Sequence, residues 1–156
     1  MKVAIASGKG GTGKTTVAVN LARSWGGPVQ LLDCDVEEPN AHLFLGGEKG
    51  EEVPVFVKVP SVDEALCDGC GECGRFCEFH AIVVVGRSPI VFPGMCHACG
   101  GCAKVCPRGA IREVDERIGV VETRRSGSVS LTLGRMDVGM SMAPPLVHAV
   151  RARIQG

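Results

Sequence analysis

Cys67, Cys70, Cys73 and Cys77 are spaced C-x2-C-x2-C-x3-C, and the spacing returns at Cys96, Cys99, Cys102 and Cys106, with Pro107 after the last. Three thiolates at intervals of three on a tight turn reach three irons of one cubane, while the fourth projects to a second cubane. The pattern therefore predicts two 4Fe-4S clusters, one on Cys67, Cys70, Cys73 and Cys106 and the other on Cys77, Cys96, Cys99 and Cys102. Zinc is the competing reading, because C-x2-C pairs also hold tetrahedral zinc. It uses two separated pairs, however, whereas here a triplet plus one occurs twice. With eight thiolates filling the ligand positions, His80 and His97 read as polar surface residues. Cys34, outside the repeat, reads as a small buried thiol.

A second chemistry lies near the start of the chain. Gly8-Lys9-Gly10-Gly11-Thr12-Gly13-Lys14-Thr15 satisfies G-x-x-x-x-G-K-[ST]. The glycines let backbone N–H groups converge on phosphate oxygens, and a following helix adds a favourable dipole. Lys14 would neutralise the β and γ phosphates, Thr15 would ligate Mg2+, and Thr16 joins the nucleotide-binding set. The expected ligand is ATP.

The elements needed to hold these residues can be read from the apolar pattern. Lys2–Ser7 has strand length and runs straight into the glycine-rich loop. Val17, Ala18, Leu21, Ala22 and Trp25 recur at helical spacing up to Gly26, and Val29–Leu32 is a second strand ending at Asp33. Strand, helix and strand make a βαβ unit with a right-handed crossover and parallel strands. Val55–Val59 reads as an extended link, with a domain boundary near Pro60. Residues 67–82 and 96–111 form an internal repeat at an offset of 29, matching at the cysteines, Gly71/Gly100, Ala81/Ala110 and Ile82/Ile111. Beyond it, Ile118–Thr123 and Ser128–Leu133 predict a hairpin. Ser141–Pro145 starts a helix carrying Leu146, Val147, Val150 and Ile154 on one face.

The fold class expected is α/β: residues 1–59 as the N-terminal part of a parallel nucleotide-binding sheet, 60–112 as an inserted α+β two-cluster module, and 113–156 as a hairpin and helix returning to the first part. Lys plus Arg and Asp plus Glu both number 17, so net charge gives no argument for a nucleic-acid partner. No run approaches the roughly 18 apolar residues of a membrane span. Without a leader-like segment, nine cysteines read as metal ligands in a reducing, cytoplasmic setting.

Residues 60–112 resemble the bacterial two-cluster ferredoxins, with Glu78 departing from the proline usual there. Lys9 within K-G-G-T-G-K-T makes the loop resemble the deviant Walker A of the MinD/ParA superfamily, which includes the nitrogenase iron protein and the Mrp-type cluster carriers. That resemblance implies a homodimer in which Lys9 reaches the partner subunit's nucleotide. It also implies that Asp35, in Asp33-Cys34-Asp35, positions the attacking water, and that Asp33 helps to hold Mg2+ through water. Lys9, Lys14 and Asp35 form the implied catalytic set.

Taken together, the 156 residues are similar to MinD-type ATPases carrying an inserted ferredoxin domain. Those proteins continue with a switch II strand, D-x-P-P-G, which does not occur here; Pro144-Pro145 lacks the upstream acid. The expectation is a chain truncated before switch II, or completed by a second chain that supplies the missing half of the sheet. The complete form would be an ATPase, and this chain weak or inactive. The implied function is 4Fe-4S electron transfer, to a redox partner protein, gated by nucleotide switching. The alternatives are a simple ferredoxin-like carrier with a non-hydrolysing P-loop scaffold, and a scaffold for cluster delivery.

Overall fold

Helix α1 (Lys14–Ser24) starts immediately after the glycine-rich loop and buries Val19 and Ala22, three positions apart on one face. The sheet it serves is built from four strands: β1 (Val29–Asp33), β2 (Glu48–Val62), β5 (Ile111–Ser126) and β6 (Val129–Met136), in the order β1-β6-β5-β2. Strands β1 and β6 pair in parallel, with Val29 opposite Val129 and Asp33 opposite Leu133. Strands β5 and β6 are sheet neighbours joined through Gly127 and Ser128, so the expected hairpin is present with longer arms than its apolar runs suggested. The structure is a computed structural model and describes residues 1–155.

The chain divides into two compact units, whose boundaries fall inside β2 and β5, at the end of β6 and inside the last helix. The first takes Met1–Pro54, Val120–Met136 and Leu146–Gly156; the second takes Val55–Gly119 and Asp137–Pro145. In the first unit, Val19 and Ala22 of α1 pack with Ala41 and Leu45 of α2 (Ala41–Leu45) and with Val129, Leu131 and Leu133 of β6. Helix α5 (Ala143–Arg151) adds Leu146 and Val150, both fully buried. A side chain at Gly134 of β6 would press on Val150, Leu146 and Val36, so the glycine leaves the space into which α5 docks. Ile154, expected on the same face, lies beyond the end of α5 and is exposed.

The strand expected at Lys2–Ser7 does not form. These residues lie outside the sheet, and Val3 is 58% exposed. A strand needs ladder partners for its N–H and C=O groups, and among the described residues β1 finds its parallel partner in β6, from far along the chain. The βαβ unit read from the N-terminal residues is therefore replaced by a parallel pair of long sequence separation.

The second unit contains α3 (Glu72–Phe76), the antiparallel pair β3 (Ile82–Val85) and β4 (Ser88–Val91), and α4 (Gly101–Lys104). The 29-residue offset of the sequence reappears in its backbone. Gly71 and Gly100 cap α3 and α4 with nearly the same left-handed angles. The non-glycine residues His80 and Ala98, with φ of 52° and 53°, stand where the other half has Gly109 and Gly69. Asp63 N–H donates to Ala110 C=O, and Phe92 N–H donates to Ala81 C=O. This is one bond repeated with the halves exchanged, as a local two-fold relation requires.

Candidate functional site

The glycine-rich loop is open. An added Cβ at Gly8, Gly10, Gly11 or Gly13 would meet nothing within 4 Å. The loop is held by short-range bonds: the Ser7 hydroxyl donates to Lys9 C=O at 2.8 Å, and the Thr12 hydroxyl donates to Ser7 Oγ at 2.8 Å. Gly13 caps α1 in the left-handed region, with φ 87°, and no side chain bonds the free N–H groups of the first turn. An uncapped helix start behind a flexible loop is receptive to an anion. Lys14, Thr15 and Thr16 occupy that first turn, Lys14 and Thr15 half-buried, while Lys9 is exposed.

Asp33 ends β1, where its carboxylate organises the following turn. Oδ1 accepts from Asp35 N–H at 3.1 Å, and Oδ2 accepts from Asn40 N–H at 3.1 Å and Ala41 N–H at 3.0 Å. Asp33 thus sets the entry to α2 and the direction of Asp35, a structural task that the D-x-D reading did not include. Asp35 itself is exposed. Between them, Cys34 is at the surface rather than buried as the sequence suggested; local desolvation and the Asp33 carboxylate push its thiol up, against a smaller opposing effect of Arg151.

In the second unit the eight remaining cysteines fall into two groups. One cavity is lined by Cys67, Cys70, Cys73 and Cys106, with Val62, Val84 and Ile111 behind them. Another is lined by Cys77, Cys96, Cys99 and Cys102. Each cavity therefore takes three thiols from one half of the repeat and one from the other. Each triplet lies around a short helix start, capped by Gly71 or Gly100. Ala110 N–H points to Cys106 Sγ at 3.3 Å and Ala98 N–H to Cys96 Sγ at 3.4 Å, so each cavity has a backbone donor to sulfur. Burial pushes the thiols of Cys73, Cys96 and Cys102 up, and neighbouring cysteines of the same cavity add to the effect.

Four thiols at one cavity is the donor set that an iron-sulfur cluster takes. Among the described residues, no three His, Cys, Asp or Glu side chains converge tightly enough to hold one metal ion. At each site four thiols line one cavity. Among the same residues, no helix is long and apolar enough to cross a membrane.

A mixed α/β sheet with an open glycine-rich loop before an uncapped helix defines the class of P-loop nucleotide-binding proteins. More particularly, the chain belongs to the CobQ/CobB/MinD/ParA nucleotide binding domain family, which matches residues 3–153. It is similar to an uncharacterized protein of Methanocaldococcus jannaschii, with 34% identity over 93 residues, 58% of this chain and 34% of that protein. It is also similar to the iron-sulfur cluster carrier proteins of Pyrococcus abyssi and of a Synechocystis species. These matches are 53% identical over 53 residues and 55% identical over 47, or 32% and 28% of this chain. The matched stretches span about a third of the first relative and only 18% and 13% of the two carriers.

Proposed function

We propose that this chain is an ATP-binding iron-sulfur protein, carrying two 4Fe-4S clusters for one-electron transfer and a MinD-type nucleotide switch that gates it. The observation that supports the cluster assignment is the sorting of eight thiols into two cavities of four, each with one thiol from the opposite half. Cys67, Cys70, Cys73 and Cys106 would hold one cluster, and Cys77, Cys96, Cys99 and Cys102 the other, in a ferredoxin-like module. Such groups, when bound, supply single-electron chemistry at low potential. The chain's own contribution is to orient the thiols, donate N–H groups to sulfur and limit access of water.

At the loop, the residues suited to ATP and Mg2+ are Gly8, Gly10, Gly11, Thr12, Gly13, Lys14, Thr15 and Thr16. Asp33 is already oriented by three N–H groups, yet a carboxylate has about four lone-pair sites, so one can still accept from a magnesium-bound water. Lys9 and Asp35 are exposed, as residues acting across a homodimer or on an attacking water would be. Family membership supports the nucleotide, and similarity to cluster carriers supports iron-sulfur binding; electron transfer is inferred from the four-thiol sets, and its gating from both sites lying in one short chain. A protein that only delivers clusters would release iron and sulfide to an apo-acceptor.

The test is anaerobic reconstitution followed by iron and sulfide analysis and redox titration, with and without Mg-ATP. The reading expects about eight irons per chain, a reversible one-electron signal, and ATP binding that weakens in Lys14→Ala. Zinc in place of iron, or irreversible loss of iron on reduction, would overturn it.

A further inference from the structure

The two halves of the repeat carry their charges differently. The 29-residue offset that relates Cys77 to Cys106 also relates Glu78 to Pro107, and it relates Val84 to Glu113. Glu78 and Glu113 both line the cavity of Cys77, Cys96, Cys99 and Cys102. At the other site Val84 lines the cavity in the position equivalent to Glu113, and Pro107 follows Cys106 as Glu78 follows Cys77. At both equivalent positions, one site has a carboxylate where the other has an uncharged side chain.

The acids of the first site are balanced by cations. Asp68 and Glu72 line the cavity of Cys67, Cys70, Cys73 and Cys106. Arg108 Nε lies 3.5 Å from Asp68 Oδ2, and Arg75 donates to Glu72 Oε1 at 2.7 Å. At the second site the lining cations are Lys58 and Arg75, but each is already engaged elsewhere: Lys58 lies 2.8 Å from Asp115, and Arg75 is held by Glu72. Among the described residues, neither Glu78 nor Glu113 forms an ion pair. The second site therefore has two uncompensated carboxylates and the first has none.

Both carboxylates stand close to the thiols they would influence. Glu78 is the residue after Cys77, and Glu113 Oε1 lies 3.1 Å from the point where a Cβ on Gly100, the residue after Cys99, would stand. Burial pushes the Cys96 thiol up and, after the neighbouring thiols, the charge of Glu113 adds to this. Negative charge beside a centre that gains an electron makes that gain less favourable, and net charge is one of the terms that set the potentials of iron-sulfur clusters.

We propose that Glu78 and Glu113 make the site of Cys77, Cys96, Cys99 and Cys102 the harder of the two to reduce, so that a single electron given to the chain resides at the site of Cys67, Cys70, Cys73 and Cys106. This rests on the two-cluster reading above. Both glutamates are exposed, so solvent and salt screen them, and their effect is a bias between the sites. The bias gives the module a direction: an electron entering at the second site passes to the first, one site being oxidised as the other is reduced.

The test is a redox titration of the reconstituted full chain, followed by electron paramagnetic resonance, with iron measured first. Two one-electron steps are expected. Glu78→Gln and Glu113→Gln should each raise the lower step and leave the upper one in place. At a fixed potential near the lower midpoint, the ratio of reduced to oxidised protein should rise about two- to tenfold for each lost charge. Glu113→Asp, which keeps the charge, should stay near the wild-type value, which separates charge from a change of shape. Arg108→Gln leaves Asp68 without its cation while Asp68 Oδ1 still accepts from Cys70 N–H; it should lower the upper step alone. Glutamine variants that move neither step, move both equally or move only the upper one would overturn the proposal. Iron well short of about eight per chain would instead defeat the two-cluster reading on which it rests.

Discussion

Replacing Gly13 with alanine isolates the backbone's part in nucleotide binding. Gly13 caps α1 with φ 87° and ψ 16°, a left-handed conformation that disfavours L-residues by about 1–2 kcal/mol. A Cβ at this position meets nothing within 4 Å, so backbone strain is the whole cost. Gly10, Gly11 and Thr12 are exposed, and in the free chain the loop can relax to relieve the strain. When ATP needs the N–H groups gathered as they are here, alanine makes that arrangement rarer, and the dissociation constant rises about 5- to 30-fold. Gly13→Asn should lose less, because asparagine visits the left-handed region. Equilibrium dialysis with Mg-ATP measures all three proteins, and urea unfolding checks that their stabilities match. Wild-type affinity in Gly13→Ala, alongside weakened binding in Lys14→Ala, would refute the argument that the bound loop keeps this backbone.

Two further outcomes follow from buried groups. Glu122 is 1% exposed and meets Arg124 on its own strand, with Lys49 and Arg135 nearby at 3.6 and 3.8 Å; Glu122→Ala should lower stability by about 3–5 kcal/mol through the partly buried Arg124 left behind. In urea unfolding, Glu122→Leu combined with Arg124→Leu should recover most of that loss, since replacing a buried pair by apolar groups is often neutral. In the iron-free chain, burial holds the thiols of Cys73, Cys96 and Cys102 above the ordinary range. A group protonated more tightly when folded stabilises the fold below its unfolded pKa and loses that contribution as pH rises through the folded value. The melting temperature of the iron-free chain should therefore fall as pH rises above about 8.5, whereas the cluster-loaded chain, with its thiolates already bonded, should melt without this alkaline decline.

The cysteine groups and the loop were legible because their geometry is local. A spacing of three, three and four residues fixes a turn and a short helix, and the repeat offset carries over to backbone angles and to the exchanged bonds of Asp63 and Phe92. Strand pairing is not local, which is why Lys2–Ser7 reads as a strand and yet lies outside the sheet. The full length of β2 was hidden for a related reason: Gly50, Pro54 and Pro60 punctuate a segment that its neighbours nevertheless hold extended from Glu48 to Val62. Glu122 gives no sign in sequence that it is buried, since two of the three cations around it are brought in from β2 and β6 and only Arg124 comes from its own strand. The D-x-D pattern located Asp33 and Asp35, but the three N–H groups on Asp33 come from a turn whose course the pattern does not specify.

The most direct measurement of the central claim, that each cluster draws one ligand from the opposite half, is iron content with cysteine mapping in Cys77→Ala. Cys77 follows Cys73 by four residues in sequence, but it lines the cavity of Cys96, Cys99 and Cys102. The variant should deprive Cys96, Cys99 and Cys102 of their fourth ligand: iron falls towards about half, and alkylation finds Cys96, Cys99 and Cys102 freed while Cys67, Cys70, Cys73 and Cys106 stay protected. Freed thiols at Cys67, Cys70 and Cys73 instead would contradict it.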